Sequence, residues 1–395
     1  MVAIILSFVV VSILLLILSI RADKKIRNMP LKKQHNYPLV SIVIPSYKSA
    51  GKLEKTLKSV KGADYPKKEI IVVNDGADAA VTAVCRQFGV KVIQTERRGK
   101  GAALNHGIKY AKGEYVLFLD ADTTMGRATL TTLFNSYKSY EESGDKIGMI
   151  APAYTARNKR NIFSRFTDME QSVHQNIIKI QMNFKSILST RGCCLLLTKK
   201  VFNKAGGFSK TLLEDGDFAA KVIKAGYNIK YEPRAVVKTG EPESFKSLMR
   251  SKRRYGKGTL YCLLNNKTPY LNSIQSAICF YPFAILGLAF FGLYLFHNLL
   301  YAFPLLLLLT TITVNGTFSF FYTAIAILIV SAISFALGSA FSYQGSANAG
   351  ITAHLTSVAI FSALAIPVTY AYFRGGLSGI IDKAQKKPEL ILSDW

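Results

Sequence analysis

The stretch Tyr115–Thr123, YVLFLDADT, constrains this chain more than any other. Its apolar and aromatic residues, Tyr115 to Leu119, run straight into two carboxylates separated by one small residue. A short continuous apolar run bounded by polar residues reads as a strand buried on both faces, the kind found in parallel sheets. Asp120 and Asp122 then stand where that strand ends, and open α/β sheets bind ligands at the carboxyl ends of their strands. In extended backbone, residues i and i+2 point the same way, so both carboxylates are expected to face one site. Two hard oxygen ligands there suit a divalent cation that also bridges a substrate diphosphate. A helix cap followed by a solvated turn is the competing reading of the same residues.

The pattern around this stretch is α/β. LVSIVI (39–44), EIIVVN (69–74) and KVIQ (91–94) read as further strands, with helical stretches near 51–61, 78–88 and 100–111 between them. Strand–helix–strand repetition argues a mostly parallel, Rossmann-like sheet with helices on both faces, here over residues 37–243. Residues 164–186 carry one apolar stripe at helical spacing: Phe166, Met169, Val173, Ile177, Ile180 and Phe184. That stripe reads either as a core-facing helix or as a helix lying on a membrane surface. No internal repeat stands out.

The two ends are of another kind. Residues 1–20, MVAIILSFVVVSILLLILSI, are long enough to cross a bilayer at about 1.5 Å per residue. No basic segment precedes them and no cleavage site follows, which argues for a retained anchor rather than a removed signal peptide. Arg21, Lys24, Lys25 and Arg27 come next, placing the α/β domain in the cytoplasm by the positive-inside rule. Residues 244–275 form an amphipathic interface segment with Lys246, Arg250, Arg253 and Lys257 on one helical face. About four transmembrane helices are expected within 276–373, followed by a basic cytoplasmic tail at 374–395. The expected location is the cell (plasma) membrane, multi-pass.

Charge narrows the partners. Lys and Arg number 50 against 24 Asp and Glu, a net charge of +26. Such a balance fits nucleic acid, anionic membrane or an anionic substrate. No nucleic-acid-binding signature accompanies it, and a mean hydropathy of +0.22 favours lipid headgroups and a phosphorylated donor over nucleic acid. The five cysteines show no Cys-x-x-Cys or disulfide spacing, consistent with a reducing compartment.

Four other constellations carry candidate chemistry, each with a plain structural alternative. Pro45 and Tyr47 follow the first strand and could hold a base or sugar against the sheet edge, or merely turn the chain. Asp75, ending the second strand, could accept an imide N–H such as that of uracil, and Asn-Asp-Gly is also a common turn. Lys100 lies in a glycine-flanked loop opening a helix, a place that attracts phosphate; it also reads as a solvated surface lysine. Glu214, Asp215 and Asp217 precede a helical run, and either supply a general base or cap the helix. Arg253, Arg254 and Tyr255 sit in a basic segment suited to a diphosphate leaving group, or to lipid headgroups.

Taken in order, these pieces resemble the family 2 glycosyltransferases of GT-A fold, of the membrane-embedded synthase type that includes hyaluronan and poly-N-acetylglucosamine synthases. The resemblance implies that Asp75 contacts uracil, and that Asp120 and Asp122 form the Asp-x-Asp motif whose second acid binds Mg2+ or Mn2+. It also makes Glu214-Asp215 the acidic pair with Asp215 as base, and supports it with Gly206-Gly207-Phe208 shortly before. The Gln-x-x-Arg-Trp motif of processive synthases aligns with Ser251 to Tyr255, giving Arg254 for its arginine. The chain departs from the pattern at Ser251, Tyr255, Asn74 and the 190–194 segment TRGCC.

The implied reaction is inverting transfer from a nucleotide-sugar, a UDP-sugar by the Asp75 match, to a hydroxyl of a growing polysaccharide or glycolipid. The alternative is transfer to a polyprenyl phosphate. A phosphate acceptor is already anionic and needs no base, so Glu214-Asp215 favours a hydroxyl. A transporter with a nucleotide-binding domain would require intramembrane ionisable residues, which the C-terminal segments almost lack.

Overall fold

The structure, a computed structural model, describes residues 17–265 apart from 19, 159–160, 184–185 and 188–189. The expected spans within 276–373, the tail at 374–395 and nearly all of the 1–20 anchor lie outside the described residues. Among the described residues no helix is long and apolar enough to cross a membrane.

The chain builds one eight-stranded sheet in the order β3-β2-β1-β4-β7-β6-β8-β5. The strands are β1 (Val40–Ser46), β2 (Lys68–Asp75), β3 (Lys91–Thr95), β4 (Tyr115–Leu119), β5 (Thr123–Met125), β6 (Ile147–Ala156), β7 (Cys194–Thr198) and β8 (Asn228–Thr239). The four strands expected from the apolar runs are β1 to β4, and they pair in parallel. Beyond β4 the sheet is mixed: β7 is antiparallel to both β4 and β6, and β8 is parallel to β6 and antiparallel to β5. The sheet is therefore more mixed than the mostly parallel expectation.

Helices cover both faces, and the strand residues alternate between them as the pleat requires. Ile42, Ile44 and Leu117 pack against Leu53 and Leu57 of α1 (Ala50–Lys61), Val81 of α2 (Ala79–Gln87) and Phe134 of α4 (Thr129–Glu142). Val43, Val73, Val116 and Phe118 face the other way, onto a second cluster of helices. There they meet Leu104 of α3 (Lys100–Gly107), Ile178 of α5 (Ile162–Gln181), Phe202 of α6 (Lys199–Ala205) and Phe218 of α7 (Glu214–Lys224). The last described helix is α8 (Phe245–Asn265). Helix α3 stops at Gly107, short of the expected 111, and continues as a single 3-10 turn.

In the apolar stripe of α5, Phe166 and Ile180 are buried in protein, as the core-facing reading requires. Residues 20–28 are helical and dock beside it: Ala22 and Ile26 are buried, and Asp23 pairs with Lys179 at 3.0 Å.

Strand order sets the place of the site. Strand β1 pairs with β2 along its whole length, but with β4 only from Val40 to Val43. The chain goes to one side of β1 for β2 and β3, then to the other side for β4. Past Val43 the two central strands part, which opens a crevice at the topological switch point.

Helix α3 crosses the sheet at Gly107, where an added Cβ would lie 2.5 Å from Val43 Cγ1 and 2.7 Å from Val73 Cγ2. Both neighbours are core strand residues that cannot yield. Gly107→Ala should cost about 1–3 kcal/mol, read as a fall in melting temperature of roughly 2–4 °C per kcal/mol. An unchanged thermal unfolding curve would show that α3 does not depend on this close approach.

Candidate active site

The crevice holds a cavity of about 350 Å3 lined by the ends of β1, β2, β4 and β8, the approach to β7, the first turns of α3 and α7, and the second and third turns of α8. Of the residues singled out from sequence, Pro45, Tyr47, Asp75, Lys100, Asp120, Asp122, Glu214, Asp215, Arg254 and Tyr255 all line it. Arg253 does not; it is exposed on α8.

At the centre lies Lys100, the first residue of α3. Its Nζ is 2.7 Å from Asp120 Oδ1 and 3.0 Å from Glu214 Oε1, with only 15% of its side chain exposed. It is not a solvated lysine. Burial opposes its charge, yet Asp120, Glu214 and Asp215 hold its pKa well above the usual lysine value. Burial conversely lifts Asp120 and Glu214 above the usual carboxylate range; Lys100 opposes that lift, while Asp122 adds to it at Asp120 and Asp215 at Glu214.

The Asp-x-Asp pair reaches the cavity by a tight turn rather than by strand alternation. Asp120 N–H still donates to Cys193 O at 3.0 Å, extending the β4–β7 ladder, and Thr123 N–H then closes onto Asp120 O at 3.0 Å. Thr56 fastens the turn from α1 by donating to Ala121 O at 2.8 Å. The two carboxylates consequently have different surroundings. Asp120 is taken up by Lys100, whereas Asp122 keeps 31% of its side chain exposed and has Lys52 Nζ at 3.8 Å. Gly240 passes so close that an added Cβ would be 3.1 Å from Asp122 Oδ2.

Asp122 fits the hard, open carboxylate that a divalent cation such as Mg2+ or Mn2+ needs. No cluster of three or more His, Cys, Asp or Glu that could hold a metal occurs among the described residues, so the remaining ligands would have to come from substrate and solvent. That suits an ion brought in with a diphosphate.

Asp75 is more engaged than the sequence suggested. Its Oδ1 accepts from Arg98 N at 2.7 Å and from Thr95 Oγ1 at 3.2 Å, and its Oδ2 accepts from Gly99 N at 2.9 Å. It thereby fixes the loop that delivers Lys100. Tyr47 lies flat against Gly76, whose added Cβ would meet the ring at 3.1 Å, and Arg97 stands over that ring at 4.7 Å. Asn74, where the family pattern has an acid, is fully buried and closes the turn through Asp78 N at 3.1 Å and Asp78 O at 2.8 Å.

On the opposite wall, Asp215 Oδ2 accepts from Gly192 N at 2.7 Å and Oδ1 from Gly216 N at 2.8 Å. Each oxygen keeps a lone pair for a further partner. Asp217 instead pairs with Lys221 at 3.3 Å on its own helix. Helix α8 is seated against the start of α7 at Gly258, where an added Cβ would lie 2.4 Å from Leu213 Cγ. This contact brings Ser251, Arg254 and Tyr255 over the cavity.

Sequence reasoning missed Lys52, Arg97, Arg191, Gly192 and Glu241, all of which line the cavity. The departure at TRGCC marked the Arg191-Gly192 region without showing its role. Nothing in the sequence joins it to Glu241, fifty residues away and 2.9 Å from Arg191 in space.

The comparisons with known proteins bear on an α/β site of this kind. Residues 41–206 match the family described as Glycosyl transferase family 2. The poly-beta-1,6-N-acetyl-D-glucosamine synthase of Staphylococcus epidermidis is 29% identical over 255 residues, covering 62% of this chain and 61% of that protein. A Bacillus subtilis protein named as a glycosyltransferase is 27% identical over 284 residues, 67% of each chain. The solved structure of a Pyrobaculum calidifontis mannosyltransferase, in complex with GDP-Man and Mn2+, superposes with a TM-score of 0.50. It is 17% identical and the match covers 98% of this chain and 99% of that one, a likeness of fold: the mixed α/β, Rossmann-like GT-A domain.

Gly192 tests the geometry of Asp215. An added Cβ there would lie 2.5 Å from Asp215 Cβ and 2.8 Å from its Oδ2. Gly192→Ala should therefore push Asp215 aside and lower turnover by about 100-fold, while nucleotide binding measured by calorimetry stays intact.

The raised carboxyls predict the pH profile. A carboxyl lifted by burial regains its proton earlier as pH falls, so Asp120 and Glu214 release Lys100 before ordinary carboxylates titrate. The acid limb of kcat/KM should lie above the usual carboxylate range; a limb within or below that range would contradict the arrangement.

Proposed function

We propose that this chain is a membrane-bound inverting glycosyltransferase, moving a sugar from a nucleotide-sugar to a hydroxyl of a growing polysaccharide or glycolipid on the cytoplasmic face. The observation that carries the reading is the pairing in one cavity of an open Asp-x-Asp carboxylate, Asp122, with a second carboxylate, Asp215, held at 2.7 Å by the Gly192 amide. The apolar runs at 1–20 and beyond 275 support the membrane assignment, and the synthase relatives support N-acetylglucosamine as the sugar transferred.

The chain's own groups divide the work. Pro45, Tyr47, Asp75 and Arg97 form the wall that receives the nucleoside. Asp122, with Asp120 behind it, would hold the Mg2+ or Mn2+ ion, whose chemistry is to neutralise charge on the diphosphate oxygens. Lys100 and Arg254 add fixed positive charge near the departing group, in a site already organised before reaction. Asp215 accepts the proton of the acceptor hydroxyl as its oxygen bonds to the anomeric carbon. The bond from that carbon to the diphosphate oxygen breaks on the opposite side, and the nucleoside diphosphate leaves with the electron pair.

Transfer to a polyprenyl phosphate is the second reading, since such an acceptor needs no base. A panel of UDP- and GDP-sugars on the detergent-solubilised full chain, with Mg2+ or Mn2+, separates the two when products are resolved by size and by solubility in organic solvent. The expected result is a saccharide product, with Asp215→Asn lowering turnover by about 100- to 10,000-fold. Unchanged turnover in Asp215→Asn would favour the phosphate acceptor, and absence of nucleotide release with every donor would refute the enzyme reading.

A further inference from the structure

The two carboxylates of the Asp-x-Asp turn each face a lysine, and the two lysines are held in opposite ways. Lys100 Nζ lies 2.7 Å from Asp120, with 15% of its side chain exposed. Lys52 Nζ stands 3.8 Å from Asp122 Oδ2, beyond hydrogen-bond reach, with 61% of its side chain exposed. The first is a fixed ion pair and the second a loose one. The proposed reaction uses Lys100 and leaves Lys52 without a duty.

The fold nevertheless delivers Lys52 to this place. One face of α1 runs along the turn, with Lys52, Thr56 and Ser59 at i, i+4 and i+7. Thr56, fully buried, donates to Ala121 O at 2.8 Å, and Ser59 Oγ accepts from Met125 N at 3.2 Å. These two bonds fix the helix against residues 121–125, and Lys52, one turn before Thr56, then comes up beside Asp122. Its backbone is set while its exposed ammonium can swing.

Asp122 Oδ2 is crowded. Gly240 packs on it from one side, where an added Cβ would be 3.1 Å away, and Lys52 stands against the same oxygen. A divalent cation on this carboxylate therefore meets a positive charge already beside it. The repulsion is relieved by moving the long exposed side chain, which a weak exposed pair does not resist. A donor diphosphate gives the ammonium somewhere to go. An ion with ligand distances of about 2 Å that bridges a carboxylate and a diphosphate puts phosphate oxygens about 4 Å from that carboxylate. Lys52 already stands at that range from Asp122.

Resting on the glycosyltransferase reading, we propose that Lys52 is a mobile counter-cation that couples metal binding to nucleotide binding. It neutralises Asp122 until a divalent cation binds there, and then pairs with the donor diphosphate. Metal alone is thereby held weakly, and metal and nucleotide load together.

The test uses the full chain in detergent, with Mn2+ binding followed by electron paramagnetic resonance and UDP binding by calorimetry. Lys52→Met, which keeps the stem and removes the charge, should bind Mn2+ alone about 3- to 10-fold more tightly. At saturating Mn2+ the same variant should bind UDP about 3- to 10-fold more weakly, and without metal within about twofold of the parent. By reciprocity, the factor by which UDP strengthens Mn2+ binding should fall by the same roughly 3- to 10-fold. Lys52→Arg, which keeps the charge, should stay near the parent in each measurement. In an Asp122→Asn background, Lys52→Met should no longer tighten Mn2+ binding.

Unchanged or weaker binding of Mn2+ alone to Lys52→Met overturns the proposal, as does Mn2+ binding that neither protein shows without UDP. Tighter Mn2+ binding that persists with Asp122→Asn overturns it too, since Lys52 would then act elsewhere. So does a UDP affinity at saturating Mn2+ that Lys52→Met leaves unchanged, because the ammonium would then have no diphosphate partner. A parent protein that binds neither Mn2+ nor UDP under any of these conditions refutes the glycosyltransferase reading itself, a result distinct from each of these.

Discussion

Everything at this site depends on one buried cation. Lys100 joins the start of α3 to the end of β4 through Asp120 and to the start of α7 through Glu214. Three segments far apart in sequence are thereby set against one another where the sheet opens. Removing one partner from such a group leaves an uncompensated buried charge, at a cost of about 3–5 kcal/mol. The triad is thus better understood as a device for fixing geometry than as a source of net stability. Asp75 completes it from the other side, since the amides of Arg98 and Gly99 deliver Lys100 only while that carboxylate holds them.

A division of labour among the acids follows. Asp75 gives both oxygens to the protein, Asp120 and Glu214 each give one to Lys100, Asp215 accepts from two backbone amides, and Asp122 has Lys52 at 3.8 Å. Composition alone shows six acids gathered in three short motifs. Their partners in space, not their spacing in sequence, tell them apart.

How much of this was legible in the sequence depends on how each element is buried. Strands β1, β2 and β4 are covered on both faces, so they appear as unbroken apolar runs, and their ends locate the crevice. Strand β8 is equally part of the sheet, yet it reads NIKYEPRAVVKT, with Lys230 and Glu232 buried and a register shift against β6 between Pro152 and Ala153. Buried charges of this kind imitate a surface loop, because their partners, Asp145 for Lys230 and Arg234 for Glu232, cannot be recognised from composition. The Asp-x-Asp motif shows the converse: both carboxylates line the cavity as expected, but a turn closed by Thr123, not strand alternation, brings them there.

The direction of β7 explains why half the site escapes a rule that serves the other half well. Ligands of α/β sheets collect at the carboxyl ends of strands, and for β1, β2, β4 and β8 that is where Pro45, Asp75, Asp120 and Glu241 lie. Because β7 runs antiparallel to β4, its amino end is what reaches the same edge, pairing Cys194 with Leu119. Arg191, Gly192 and Cys193 therefore line the cavity from the approach to a strand rather than its exit. A parallel strand in that place would have carried them to the far edge of the sheet. Reversal of one strand thus sets both walls of the cavity on a single edge, with Asp215 held between them by the backbone of the reversed strand's own approach.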